Sequence, residues 1–287
     1  LIASELRGRL IRYAEEGENQ AFIAMDPIVG VENTYKRGRG RMAALIDPAF
    51  MDQLAGQETV FHRRVAENEA LSAEVGDPWA ALAEVQPIAR ELYAPMALLE
   101  GGTGMGTTSV AGGSPLFSWA RAIVRGAQER AKPSDQRLPE FADSRLSGVQ
   151  SSLFAERPTY PELEQIRLEW WLSKTREWLT VDSPYARTLL GKESPEVLSA
   201  RLIEGTRLAD PAVRRALWEG GLPAVQASTD PLIQYVLAID ADARAVRTEW
   251  DNKVKAPTDR ASAQLAAARF VVFGDAVYPD ATGTLRL

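Results

Sequence analysis

The residues that could carry chemistry are few, and His62 heads them because it is the single histidine of the chain. A serine-hydrolase relay would have to use it as base, and an imidazole-held metal would have to use it as ligand. Its neighbours Val60, Phe61, Arg63, Arg64 and Val65 read as one helical stretch, and with no second histidine and no cysteine present no other strong nitrogen or sulfur ligand exists to share a zinc. No Gly-x-Ser-x-Gly elbow occurs. His62 therefore reads as a surface or half-buried helix histidine, and neither a metal nor a cofactor site is expected. Gly102-Thr103-Gly104-Met105-Gly106 offers closely spaced glycines of the kind that cradle phosphate. A dinucleotide loop follows a strand, however, whereas this tract follows the helical run Leu92 to Glu100, and no Gly-Lys-Ser/Thr is present. The tract 101–113 reads as a flexible loop between helices.

Four carboxylates, Glu162, Glu164, Glu169 and Glu177, are interleaved with Arg167, Lys174 and Arg176, a pattern that reads as pairing on a helix surface. No catalytic carboxylate pair can be argued from it. Lys36-Arg37-Gly38-Arg39-Gly40-Arg41 reads as a solvated helix end, since Tyr35 is its only aromatic neighbour and an RNA strip would interleave more. The seven tryptophans fall at helical spacings beside Leu and Ile, which makes helix packing their expected role.

The elements that must position these groups are helices. Eight pairs (Asp26-Pro27, Asp47-Pro48, Asp77-Pro78, Ser114-Pro115, Ser183-Pro184, Ser194-Pro195, Asp210-Pro211 and Asp230-Pro231) place a capping side chain before a residue suited to the first helical turn. Apolar residues then recur three or four apart, as in Leu232, Val236, Ile239 and Ala243. The expected helices are 1–24, 40–75, 78–100, 115–131, 134–155, 160–180, 195–207, 211–220, 231–255 and 258–272. A fold class of all-α follows, as one large multi-helix domain over 1–274. Residues 275–287 read as a turn and the start of a strand, because Tyr278-Pro279-Asp280-Ala281-Thr282-Gly283 is turn chemistry and Thr284-Leu285-Arg286-Leu287 is β-prone.

With 45% hydrophobic and 25% charged residues the chain is apolar enough to bury a core rather than stay disordered. A net charge of -6 argues against nucleic acid as partner, and no apolar window is long enough to span a membrane. The start at Leu1 has neither an initiator Met nor a signal-peptide pattern, so both ends are expected to be cuts within a longer polypeptide.

Several segments in order resemble one family, the dipeptidyl-peptidases 7 and 11, whose chymotrypsin-like double β-barrel is interrupted by a large helical domain. They are Asn33-Thr34-Tyr35-Lys36; Ser194-Pro195-Glu196 with Gly205-Thr206 and Leu217-Trp218-Glu219-Gly220-Gly221; Asp230-Pro231-Leu232-Ile233; and Leu265 to Gly274 continuing into Tyr278 to Leu287. In that family the last stretch closes the helical domain and leads into the second barrel. The family usually has an aromatic pair after the asparagine, where this chain has Thr34-Tyr35, and the glycine tract 101–113 is a departure from its pattern.

The resemblance implies a helical lid of a periplasmic or secreted bacterial serine peptidase that releases dipeptides from peptide N-termini. Its catalytic His, Asp and Ser belong to the barrels, so no residue of this chain inherits a catalytic role, and the chain alone is expected to be inactive. The partners implied are peptide substrate, the missing β-barrel domain and, for the parent, a second copy in a homodimer. One binding role is implied: Asn33 would accept a hydrogen bond from the substrate's α-amino group, against the alternative that it caps a helix or turn. A free-standing helical interaction module and, more remotely, a nucleotide-dependent enzyme built on the glycine tract are the rival readings.

Overall fold

The computed structural model describes residues 2–101, 110–180 and 182–274. Thirteen α-helices run through them: α1 (Ile2–Ala14), α2 (Glu18–Leu45), α3 (Pro48–Ala66), α4 (Glu69–Val75), α5 (Pro78–Pro95), α6 (Pro115–Glu129), α7 (Asp143–Phe154), α8 (Pro161–Trp178), α9 (Pro184–Leu190), α10 (Pro195–Gly205), α11 (Pro211–Ala227), α12 (Pro231–Trp250) and α13 (Ala256–Phe273). No strand occurs among the described residues, and the fold is all-α. The β-prone tail 275–287 and most of the glycine tract, 102–109, lie outside the described residues.

The Asp/Ser-Pro code explains most helix starts directly. Asp47 accepts hydrogen bonds from the N–H groups of Ala49 and Phe50, Asp77 from Ala80, Ser114 from Phe117, Ser194 from Val197, Asp210 from Ala212, and Asp230 from Leu232 and Ile233. Each satisfies donors that a helix leaves orphaned at its first turn, while the proline that follows has no N–H to orphan. Two pairs differ: Ser183-Pro184 starts α9 without a side-chain cap hydrogen bond, and α2 runs through Asp26-Pro27 and holds Pro27 inside the helix. The expected break at 25–39 is absent, and the expected helix 40–75 is instead the end of α2 followed by α3 and α4, divided at the Asp47 and Asn68 caps. A capping pair marks where a helix can start, not that one must.

The chain divides into two compact units, 1–36 with 93–247, and 37–92 with 248–287. In the first unit, α8 is central and packs against α1, α9 and α10, while α6 packs against α11. Trp119, Trp170, Trp171 and Trp218 are buried there. Gly126 is where α6 meets α11: a Cβ at this position would stand 2.2 Å from the Trp218 ring, so only glycine admits the indole. Arg214 of α11 is wholly buried, lies 3.9 Å from the Trp119 ring centroid, and donates to the carbonyls of Leu153, Ala155, Leu208 and Ala209. In the second unit, Phe61, Val65, Leu71, Val75 and Ala268 form one core with Trp79 and Phe273 at its edge, and Val85, Leu92 and Val254 form another.

Candidate functional site

Asn33 sits well inside α2, exposed, and makes no hydrogen bond to a described residue. The capping alternative is thereby removed, since Asn33 is at neither end of its helix. One residue before it, Glu32 takes two hydrogen bonds from Arg7 at 2.8 and 2.9 Å, which hold its carboxyl below the usual range; one residue after it, Thr34 lines a cavity of the first unit. Asn33 thus presents an amide with no hydrogen-bond partner among the described residues. The basic run Lys36 to Arg41 is exposed along α2 rather than at its end.

His62 lies exposed on α3, its ring centroid 4.5 Å from that of Trp79 in an edge-on arrangement. Among the described residues it hydrogen-bonds no hydroxyl and no carboxylate. A general base needs such an orienting partner to fix its tautomer, and none stands beside His62 among the described residues. Nor does any group of three or more His, Asp or Glu side chains among the described residues have metal-holding geometry.

The densest charge lies in the first unit, where the turn after α5 meets α6 and α12. Glu100 receives Arg125 at 2.6 and 2.7 Å, Arg247 at 3.1 Å, and Arg121. Arg125 also donates to Asp240 at 2.6 Å, Arg244 donates to both Asp240 and Glu129, and Arg247 reaches Glu140. Burial alone would raise the Asp240 carboxyl, but Arg125 and Arg244 outweigh it and hold the pKa below its ordinary value. Burial, helped by the like charge of Arg125, pulls Arg121 down to about 10. Every acid here is answered by two or more cations or backbone donors, as a structural lock requires and a poised catalytic acid does not.

Glu164 corrects the surface-pairing expectation for α8. It is buried, and its carboxylate accepts the Ser114 hydroxyl and the Leu116 N–H at 3.3 Å, so it completes the cap of α6 from a neighbouring helix. Burial pushes its pKa up, against the opposing pull of Ser114 and Arg167. Sequence reasoning missed this residue because charge interleaving looks alike on both faces of a helix. The available signal was that Glu164 lies four residues from Leu168 and seven from Trp171, on the apolar side. Its neighbour Arg167 borders the same cavity as Thr34, opposite the turn 111–113. Ala111, Gly112 and Gly113 all have positive φ in that turn, and a Cβ on Gly112 would come 2.7 Å from the Arg167 carbonyl oxygen.

The sequence model of one family, Peptidase S46, matches residues 2–287. The chain belongs to that family. Peptidase S46 is the family of the dipeptidyl-peptidases 7 and 11, serine peptidases and therefore hydrolases acting on peptides. A comparison with curated proteins gave no match. For this S46 chain the resemblance drawn from ordered short segments is thus a membership extending over the whole described fold. No helix among the described residues is long and apolar enough to cross a membrane.

Proposed function

We propose that this chain is the helical access domain of an S46 serine dipeptidyl-peptidase, working with a Ser/His/Asp set carried by β-barrel sequence elsewhere in the polypeptide. The observation that carries the reading is the state of His62: the one histidine is exposed on α3, rests on Trp79 and has neither nucleophile nor orienting carboxylate within hydrogen-bond reach among the described residues. The domain's task is then to limit which peptides reach the nucleophile. A cover that admits only a free amino terminus turns an endopeptidase site into one that cuts after two residues, because binding at the terminus fixes which carbonyl meets the serine.

Asn33 is the residue proposed to take part, its amide oxygen accepting a hydrogen bond from the substrate ammonium without burying a second charge. Its exposure and its lack of an internal partner support this role. The parent is proposed to act in the periplasm or after secretion and to be a homodimer.

The 287-residue chain, incubated with a chromogenic dipeptidyl substrate, is expected to give no turnover; activity that survives repurification and vanishes in His62→Ala would overturn the reading. In the complete peptidase, Asn33→Ala is expected to lower kcat/KM by roughly ten- to a hundredfold at an unchanged melting profile, as loss of one hydrogen bond to a charged partner predicts. A kcat/KM within twofold of wild type would leave Asn33 without a substrate role.

A further inference from the structure

A cavity of about 290 Å³ opens in the first unit between α1, the middle of α2, the Gly112–Gly113 turn and α8. That is near the small end of ligand pockets, which run from roughly 300 Å³ upward. Its walls are apolar where Leu6, Leu10, Val31 and Trp170 line it, and Arg167 is the one charged side chain among them. Arg167 is largely buried, yet its hydrogen bonds to described residues use only Nη1, to the Gly113 carbonyl at 3.3 Å and to Glu164 at 3.5 Å. Its Nε and Nη2 make none to a described residue. Trp170, which also lines the cavity, keeps a buried Nε1–H with no acceptor among the described residues.

Glu164 does not neutralise this arginine well. In a good ion pair the acid's pKa falls and the base's rises; here burial raises Glu164 and lowers Arg167, so desolvation outweighs the long contact. Ser114 and Leu116 meanwhile hold the other Glu164 oxygen at the α6 cap. The outcome is a desolvated guanidinium, with donors to spare, at the side of a small apolar chamber. Such a group favours an anion, and a planar fork favours a carboxylate.

We propose that this cavity binds a carboxylate borne on a small apolar group, with Arg167 taking the carboxylate and the α1/α2 wall taking the apolar part. Two sources share that chemistry, a free apolar acid and the C-terminus of a short peptide ending in an apolar residue. The inference does not depend on the access-domain reading, since it concerns equilibrium binding to the chain itself.

The test is titration of the 287-residue protein with N-acetyl-leucine, its neutral amide N-acetyl-leucinamide, and the peptide Ala-Ala-Leu, followed by calorimetry and by the tryptophan indole N–H resonances. Saturable binding of the acid, with the amide at least tenfold weaker, is expected. Arg167→Met should weaken the acid tenfold or more. Gly30→Phe supplies an independent check, because Gly30 lines the cavity with open space at its Cβ and the change leaves every Arg167 contact in place. It should block the acid while the melting profile is kept, so the proposal stays testable if Arg167→Met fails to fold. Tighter binding of Ala-Ala-Leu than of the acid supports the peptide source, and binding of the acid alone supports the free-acid source. Equal affinity for acid and amide, no saturable binding, or acid binding untouched by Gly30→Phe overturns the proposal.

Discussion

Arg125 shows how much one side chain can hold. It is buried and divides its guanidinium between Glu100 and Asp240, so Arg125→Met would leave two buried carboxylates short of a cation. Breaking a buried pair from one side costs about 3–5 kcal/mol, and Arg125→Met is expected to lower Tm by roughly 6–20 °C in a domain of this size. Differential scanning calorimetry checks it, and a shift under about 3 °C would mean that Arg121 and Arg247 suffice for Glu100. Glu164 behaves oppositely. Its folded-state pKa lies above its ordinary 4.5, so the stability it contributes is present in full below 4.5 and is lost as pH rises through the folded value. Glu164→Gln removes that dependence. The stability of the glutamine variant relative to wild type should therefore improve from acid toward neutral pH in parallel urea titrations, and a difference that does not change with pH would contradict the assignment.

Among the elements, α6 and α3 respond differently to the same substitution. Gly126→Ala drives a methyl into the Trp218 ring at the α6–α11 contact, and overpacking of that kind costs about 1–3 kcal/mol. Gly56→Ala, at an exposed position of α3 with nothing within 4 Å of the added carbon, should instead stabilise by about 0.4–1 kcal/mol through helix propensity and a less disordered unfolded chain. Paired denaturation curves give both signs at once; stabilisation by Gly126→Ala would show that α6 and α11 pack less closely than described. The helix α2 illustrates the limit of local rules. Pro27 removes one ladder hydrogen bond, yet the helix continues, with Pro27, Gly30, Val31 and Thr34 along one face at the cavity.

For the whole molecule, acid should be the destabilising direction. Partner groups hold Asp240, Glu129 and Glu140 below their ordinary values, so their contribution is present above 3.8 to 4.5 and lost as pH falls through their folded values. The net charge of -6 at neutral pH also turns positive once carboxylates protonate, which adds repulsion among 33 Lys and Arg residues. Glu164, whose pKa burial raises, opposes this trend. Tm is expected to fall steadily from about pH 5 to about pH 3, and a flat profile over that range would mean the buried network adds nothing net.

From the sequence alone came the all-α class, the helix starts at seven Asp/Ser-Pro pairs, the helical place of His62 and the family, because caps and apolar periodicity act within a few residues of one another. Asn33 entered there only as a candidate, through the resemblance of its segment. What tertiary structure decided was which of several equivalent-looking charges went inside. Glu164 and Arg167 share a helix with Glu162 and Arg176, yet only contact with Ser114, Leu116 and Gly113, about fifty residues away in the chain, buried them. Likewise Glu100, Arg125 and Asp240 lie too far apart in sequence for any spacing rule to join them. Continuation of α2 through Pro27 was settled the same way, since a proline only makes a helix costly there, and the free energy of the whole fold determines whether that cost is met.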